Sequence, residues 1–235
     1  MKYKTLIKKL NLTEEDFEKI KKSVQEAEKH TTGEIALAIA PESAHYSFWE
    51  LLFANLVTSI ILMVLVPFSS KISDIYNLIY WQNKPSWIVP LFFVVTAFAS
   101  IIILFYVANI PAIDRIIIPK SIKKYCVTSR TFRYFTESGV YNTAEHSGIL
   151  IFVSYMEKQV RIIADAGINK KISQDMWNLL ADEMVENIKN GNVTSAFTTI
   201  VEKCGQLLAE NFPNHDENPN ELSDGLVILG DGEWY

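Results

Sequence analysis

Apolar residues along this chain recur with three different rhythms, and each predicts a different element. In residues 13–30 they fall every three or four positions, at Phe17, Ile20, Val24 and Ala27, the single stripe of an amphipathic helix. Thr13 stands where an N-cap belongs, Asp16 follows three residues later, and Leu12 and Phe17 are placed as a hydrophobic staple. "TTG" ends that helix, and "EIALAIA" predicts a strand over 34–40. After residue 111 the pattern resumes: "SRTFRYFTESGVY" predicts an amphipathic helix closing near Gly139. "GILIFVS" is an almost unbroken apolar run, as a strand covered on both faces requires, and "KQVRIIAD" follows after a short turn as its antiparallel partner. Two helices complete the pattern. One spans 173–190, capped by Ser173, with Met176, Leu180, Met184 and Ile188 on one face and Gly191 at its end; the other spans about 193–211, with Phe197, Ile200, Val201, Cys204, Leu207 and Leu208, stopped by Pro213.

The third rhythm is no rhythm at all. Leu51–Ser70 is 20 residues without a charge, and Ser86–Ile113 is 28 more. A helix needs about 20 apolar residues to cross a hydrocarbon core of about 30 Å, so both runs predict membrane spans, about 48–68 and 87–109. Aromatic residues flank them as an interfacial belt would: Tyr46, Phe48 and Trp49 before the first, Tyr76, Tyr80, Trp81 and Trp87 between the two, Tyr106 near the end of the second. The connecting loop has only Lys71 and Lys84, whereas Arg115, Lys120, Lys123, Lys124, Arg130 and Arg133 follow the second span. The excess of basic residues on that side predicts both termini in the cytoplasm.

One helix and one strand bury too little surface to fold alone, so 1–47 is expected to fold with 111–212. The hairpin at 48–110 is then an insertion, and an even number of spans returns the chain to the side it left. Residues 213–235 form an acidic, turn-rich tail expected to pack as an irregular cap through Leu226–Leu229 or to reach a partner through Trp234 and Tyr235. A net charge of −5 gives no pull toward nucleic acid. Cys126 and Cys204 lack zinc or redox spacing and read as reduced, packed thiols. "MKYKTLIKKL" has no apolar stretch of the kind a secretory signal carries.

Three segments, "AEKHTTGEIALAIAPES", "SGILIFVSYMEKQVRIIADAGINKKISQDMW" and "GQLLAENFP", resemble the TPM domain, also called the TPM phosphatase domain. The whole chain is similar to the bacterial membrane branch of that family, with two transmembrane helices inserted in the domain and an "NELSD"-like tail. The resemblance implies a three-layer α/β/α fold around a small mixed sheet, interrupted by a transmembrane helical hairpin. It also implies acidic residues that bind a divalent metal in some members and phosphatase activity in some. This chain has "ADAGI" where many relatives carry a glycine-rich, acid-containing version.

Several routes to phosphate chemistry lack their residues. The sequence has no DxDxT-like nucleophile, no P-loop and no GxSxG elbow, and Cys126 precedes Arg130 and Arg133 at the wrong offsets for HCx5R. What remains is carboxylates near strand ends: Glu34, Glu157, Asp165 and Asp175. Converging, they would suit Ca²⁺ or Mg²⁺, which prefer oxygen ligands. Each also has a plainer reading, since Asp175 favours a helix start, Glu157 in a hairpin turn is solvated by default, and Glu34 marks a strand's exposed beginning. Asp165 is the leading candidate. His146, beside Glu145, reads as a ligand or base, or as an exposed loop residue. Two functions follow: a non-catalytic interaction or assembly module with a protein partner, held to the bilayer of a bacterial inner membrane and facing the cytoplasm, or alternatively a divalent-metal-dependent phosphatase-like enzyme.

Overall fold

In the computed structural model, described over residues 3–80, 85–143, 145–214 and 220–230, the chain forms two compact units. Met1–Ala44 and Ser121–Tyr235 make one, and His45–Lys120 the other. Trp81, Lys84, His215, Trp234 and Tyr235 lie outside the described residues.

The first unit opens with helices α1 (Tyr3–Leu10) and α2 (Glu14–Glu28). The expected capping box at the start of α2 is present: the Asp16 amide donates to Thr13 Oγ1 at 3.3 Å and the Thr13 amide to Asp16 Oδ2 at 2.9 Å. Strand β1 (Glu34–Ala40) pairs in parallel with β2 (Gly148–Ser154) along its whole length, Glu34 opposite Gly148 and Ala40 opposite Ser154. β3 (Gln159–Ala164) returns antiparallel to β2, with Ile149 opposite Ala164. β4 (Leu226–Ile228) adds to the other edge of β1 in parallel, Leu37 opposite Leu226, giving the mixed order β3-β2-β1-β4.

Period-two alternation sorts the side chains into two cores. Ile35, Leu37 and Ile39 join Ile149, Ile151 and Val153 beneath α2, α9 (Gln174–Lys189) and α10 (Val193–Asn211). Ala36, Ala38 and Ala40 join Leu150 and Phe152 beneath α7 (Lys120–Glu137), which contributes Val127 and Phe135. Helices on both faces of a mixed sheet make the three-layer α/β/α architecture. Every residue of β1 and β2 is buried for that reason, while edge strand β3 alternates.

Three local expectations fail in this unit. Met176 is 40% exposed and Trp177 fully buried, so the stripe of α9 runs through Trp177, Leu180, Ala181 and Met184. Positions three and four residues before Leu180 both suit a helical face, and the indole takes the place. Ser173 precedes α9 but its side chain makes no capping bond. The tail segment at Leu226 is a strand and not an irregular cap, because the free edge of β1 offers it a ladder. A short helix, α8 (Ala166–Asn169), follows β3.

The second unit consists of α3 (Ser47–Leu65), α4 (Ser69–Tyr80), α5 (Ile88–Ala108) and α6 (Pro111–Ile117). A 3₁₀ turn at Val66–Phe68, with Pro67 inside it, separates α3 from α4. Residues 69–80, expected as loop, are helical. The covered face of α3 is Glu50, Ala54 and Thr58, four residues apart, and α3 packs on α5. Small residues at this spacing let two helices approach closely. Glu50 Oε2 accepts from Asn109 Nδ2 at 2.9 Å, tying the two helices together at one end. The other faces are apolar and open, with Met63 75% and Phe98 66% exposed. Ser47–Ile79 and Ile88–Ala108 are long and apolar enough to cross a membrane.

Candidate functional site

The two ends of the sheet carry different chemistry. Carboxylates gather at the end where β1 and β2 begin and β3 finishes. Glu34 is 2% exposed, and its Oε2 accepts from the Leu222 amide at 3.2 Å. Burial raises its pKa, with Glu221 and Asp224 nearby pushing the same way. Glu28, at the close of α2, accepts from the Ile35 amide at 2.8 Å. β4 begins pairing only at Leu37, so the Glu28 carboxylate supplies the acceptor that the short strand leaves missing. Burial first, then the negative charges of Glu34 and Asp224, push Glu28 up to about 8. Asp224 is 8% exposed and accepts from Gln25 Nε2 at 2.7 Å and Asn220 Nδ2 at 2.6 Å.

Asp165 is at this same end, separated from Glu34 by the width of β2: its amide donates to the Gly148 carbonyl, and Gly148 stands opposite Glu34. Two strand spacings of about 4.8 Å put their backbones roughly 10 Å apart. Asp165 Oδ1 caps α8 by accepting from the Ala166 amide at 2.6 Å, and Oδ2 lies 3.1 Å from His146 Nδ1. His146 sits at φ 52, its side chain 66% exposed. Gly167 packs against that turn so closely that a Cβ would lie 2.5 Å from the His146 carbonyl oxygen. Its lack of a side chain therefore lets α8 lie against the loop carrying His146.

Glu157 is at the opposite end, past the carboxyl termini of β1 and β2. It is buried, not solvated: Oε1 accepts from the Ser43 amide at 2.8 Å and Oε2 from Ser154 Oγ at 2.6 Å, while the two serine hydroxyls share a 2.6 Å hydrogen bond. This network joins the chain leaving β1 to the turn between β2 and β3. The seven residues of β1 separate it from Glu34 by about 20 Å. Asp175 is exposed in the first turn of α9.

The four carboxylates thus do not meet in one coordination sphere. Among the described residues no three Asp, Glu, His or Cys groups are placed to hold a metal ion. The acids that do gather, Glu28 and Asp224 with Glu34, escaped the sequence reading because Glu28 belongs to a charged helix end and Asp224 to a tail 196 positions later. Only the pairing of β4 brings them together. Cys204 is buried, its thiol pushed up to about 12 by burial, and it serves the core.

Residues 114–207 match the family model of the TPM domain. In structure, the chain is similar to BA42 protein from the psychrophilic bacterium Bizionia argentinensis, solved by NMR, with a TM-score of 0.53 at 19% identity over 93% of this chain and 95% of that chain. At that identity the likeness is one of fold. No curated protein gives a significant match.

Proposed function

Because this chain carries a TPM domain over residues 114–207, we propose that it is a membrane-anchored interaction or assembly module whose TPM domain faces the cytoplasm of a bacterial cell. The observation that carries this reading is the inserted unit: the chain leaves the α/β/α fold after Ala44, forms helices with open apolar faces, and re-enters at Ser121. Two crossings bring it back to one side, and the cations from Arg115 onward favour the cytoplasm. A binding role is favoured over catalysis by the engagement of the buried acids. Glu34, Glu157 and Asp165 each spend carboxylate oxygens on hydrogen bonds that hold loops and a helix start in place.

Labelling from outside intact cells tests the topology. With Cys126 and Cys204 replaced by alanine, a cysteine at exposed Ser86 should react with an impermeant maleimide and one at exposed Ser129 should not. The reverse pattern overturns the orientation.

The second reading, a divalent-metal-dependent phosphatase-like enzyme, is favoured by one observation, the gathering of Glu28, Glu34 and Asp224 at one end of the sheet, where burial raises the pKa values of Glu28 and Glu34. A Ca²⁺ or Mg²⁺ ion would relieve the charge that burial opposes there. On the module reading, the melting temperature of the full chain is the same with Ca²⁺, Mg²⁺ or chelator. A cation-dependent stabilisation of the size expected for ligand at one hundred times Kd, about 2.7 kcal/mol, together with phosphate-ester hydrolysis needing the same ion and lost in Glu34→Gln, would establish the enzyme instead.

A further inference from the structure

The carboxyl ends of β1 and β2 open into a cavity of about 310 Å³ on the α9 side of the sheet. It lies wholly within the α/β/α unit, so nothing about it depends on the membrane reading. Its size falls at the small end of ligand pockets, which run from about 300 to 1,000 Å³. Ile39, Val153 and Val160 of the sheet and Val185 and Ile188 of α9 make an apolar interior. Ligands of open α/β sheets settle outside the carboxyl ends of the strands, where helices stand apart from the sheet.

The rim is basic. Lys9, Lys158 and Lys189 all line the opening and, among the described residues, no acidic residue does. Lys189 is paired with Glu186 at 2.6 Å, but among the described residues neither Lys9 nor Lys158 has an ion-pair partner. Helix ends modify this little: the carboxyl ends of α1 and α9 and the amino end of α10 each present about half a charge, for a net of roughly −0.5 against two full lysine charges. The buried Glu157, bonded to Ser154 of the lining, offsets about one more charge, and the balance over the apolar interior stays positive at roughly half a charge.

The backbone around the rim is also unusual. Of the five described residues with positive φ, three line this cavity: Asn11 at 52°, Lys158 at 52° and Gly191 at 87°. The first two are side-chain-bearing residues in the left-handed region, a conformation that persists where the surroundings impose it and that clusters at binding sites. At Lys158 it ends the β2–β3 turn on a lysine at the rim.

We propose that this cavity is a binding site for a small amphipathic anion, a short apolar chain ending in a phosphate or carboxylate. The chain fills the space between Val153 and Ile188, and the head group lies between Lys9 and Lys158, with the Asn11 and Gln159 amides at the same rim as further donors. Lysine recognises such a head as a point charge.

The test is calorimetric titration of the full chain in neutral phosphatidylcholine nanodiscs, with empty nanodiscs subtracted. Hexyl phosphate and hexanoate should each bind saturably at one site per chain, and hexanol and inorganic phosphate, each lacking one half of the chemistry, at least about tenfold more weakly. Lys9→Gln with Lys158→Gln should weaken hexyl phosphate about tenfold or more, as loss of charge-assisted contacts does, with an unchanged melting temperature since both side chains are exposed. Val185→Trp, filling the cavity, should abolish binding. Placing phosphatidic acid in the nanodiscs separates two sources: competition with hexyl phosphate identifies a lipid head group, and its absence a ligand from solution. The proposal is overturned if hexyl phosphate does not saturate the wild type, if hexanol binds equally well, or if the lysine pair and Val185→Trp both leave binding unchanged.

Discussion

Glu28 shows how one residue's surroundings become a property of the whole protein. Its carboxyl is raised from 4.5 to about 8, burial being the main cause. The folded state thus retains a proton that the unfolded chain releases, and the stability this contributes is present below 4.5 and lost as pH rises through 8. Glu28→Gln keeps an acceptor for the Ile35 amide and removes the titration. Going from about pH 5 to about pH 9, its melting temperature should gain on the wild type by several degrees, each kcal/mol counting for about 2–4 °C in a chain of this size. Calorimetry at the two pH values checks this, and a parallel pH dependence in both proteins would show Glu28 to be ionised in the fold. Glu157 is the contrasting case. It is as buried as Asp224, yet both its oxygens receive donors from Ser43 and Ser154, and its task is to hold two loops.

Between elements, α2 packs closely on α10, and the strand start at Gly33 on the same helix. A Cβ at Gly205 would lie 2.6 Å from the Ala27 Cβ, and one at Gly33 2.8 Å from the Leu208 side chain. These two contacts differ in what can yield. Leu208 can rotate, whereas Ala27 moves only with its helix. Gly205→Ala should therefore destabilise the protein by about 1–3 kcal/mol despite alanine's better helix propensity, because the overpacking exceeds the gain of about 1 kcal/mol. Thermal or denaturant unfolding gives the sign directly; a stabilised variant would mean that the helices can separate at little cost. The α3–α5 pair is built on the same device, with Ala54 and Thr58 on the covered face and Glu50 bound to Asn109 at its end.

At the scale of the whole molecule, the insertion makes folding non-local. β1 gains its partner β2 only after 107 intervening residues, from Pro41 to Ser147. Replacing 45–120 by a flexible glycine-serine linker should leave a water-soluble protein in which β1 still pairs with β2, since both cores draw on β1 and the later segments alike. Its denaturant unfolding should be a single transition. Separate transitions for the flanks, or hydrogen-exchange protection at β2 without protection at β1, would show that the segments do not need each other.

Much of this was legible in the sequence, for local reasons. Alternation in "EIALAIA" and continuity in "GILIFVS" defined two strands to the residue, and Thr13 with Asp16 defined a helix start, because spacing and capping act within a few positions. Charge-free runs of twenty residues or more declared the inserted helices, since no other local signal is so strong. The sequence was silent wherever the deciding partner was distant. Whether Met176 or Trp177 faces the core depends on the shape of the sheet beneath α9, and whether Leu226 forms a strand depends on a free edge 189 residues earlier at Leu37. The carboxylates divide between two ends of the sheet by strand direction alone. Glu157 and Asp165 are eight positions apart in the chain, yet β3 carries them to opposite ends, while β4 brings Asp224 beside Glu28. Composition and periodicity determine which elements form; register and direction, fixed only when the sheet assembles, decide which side chains share a site.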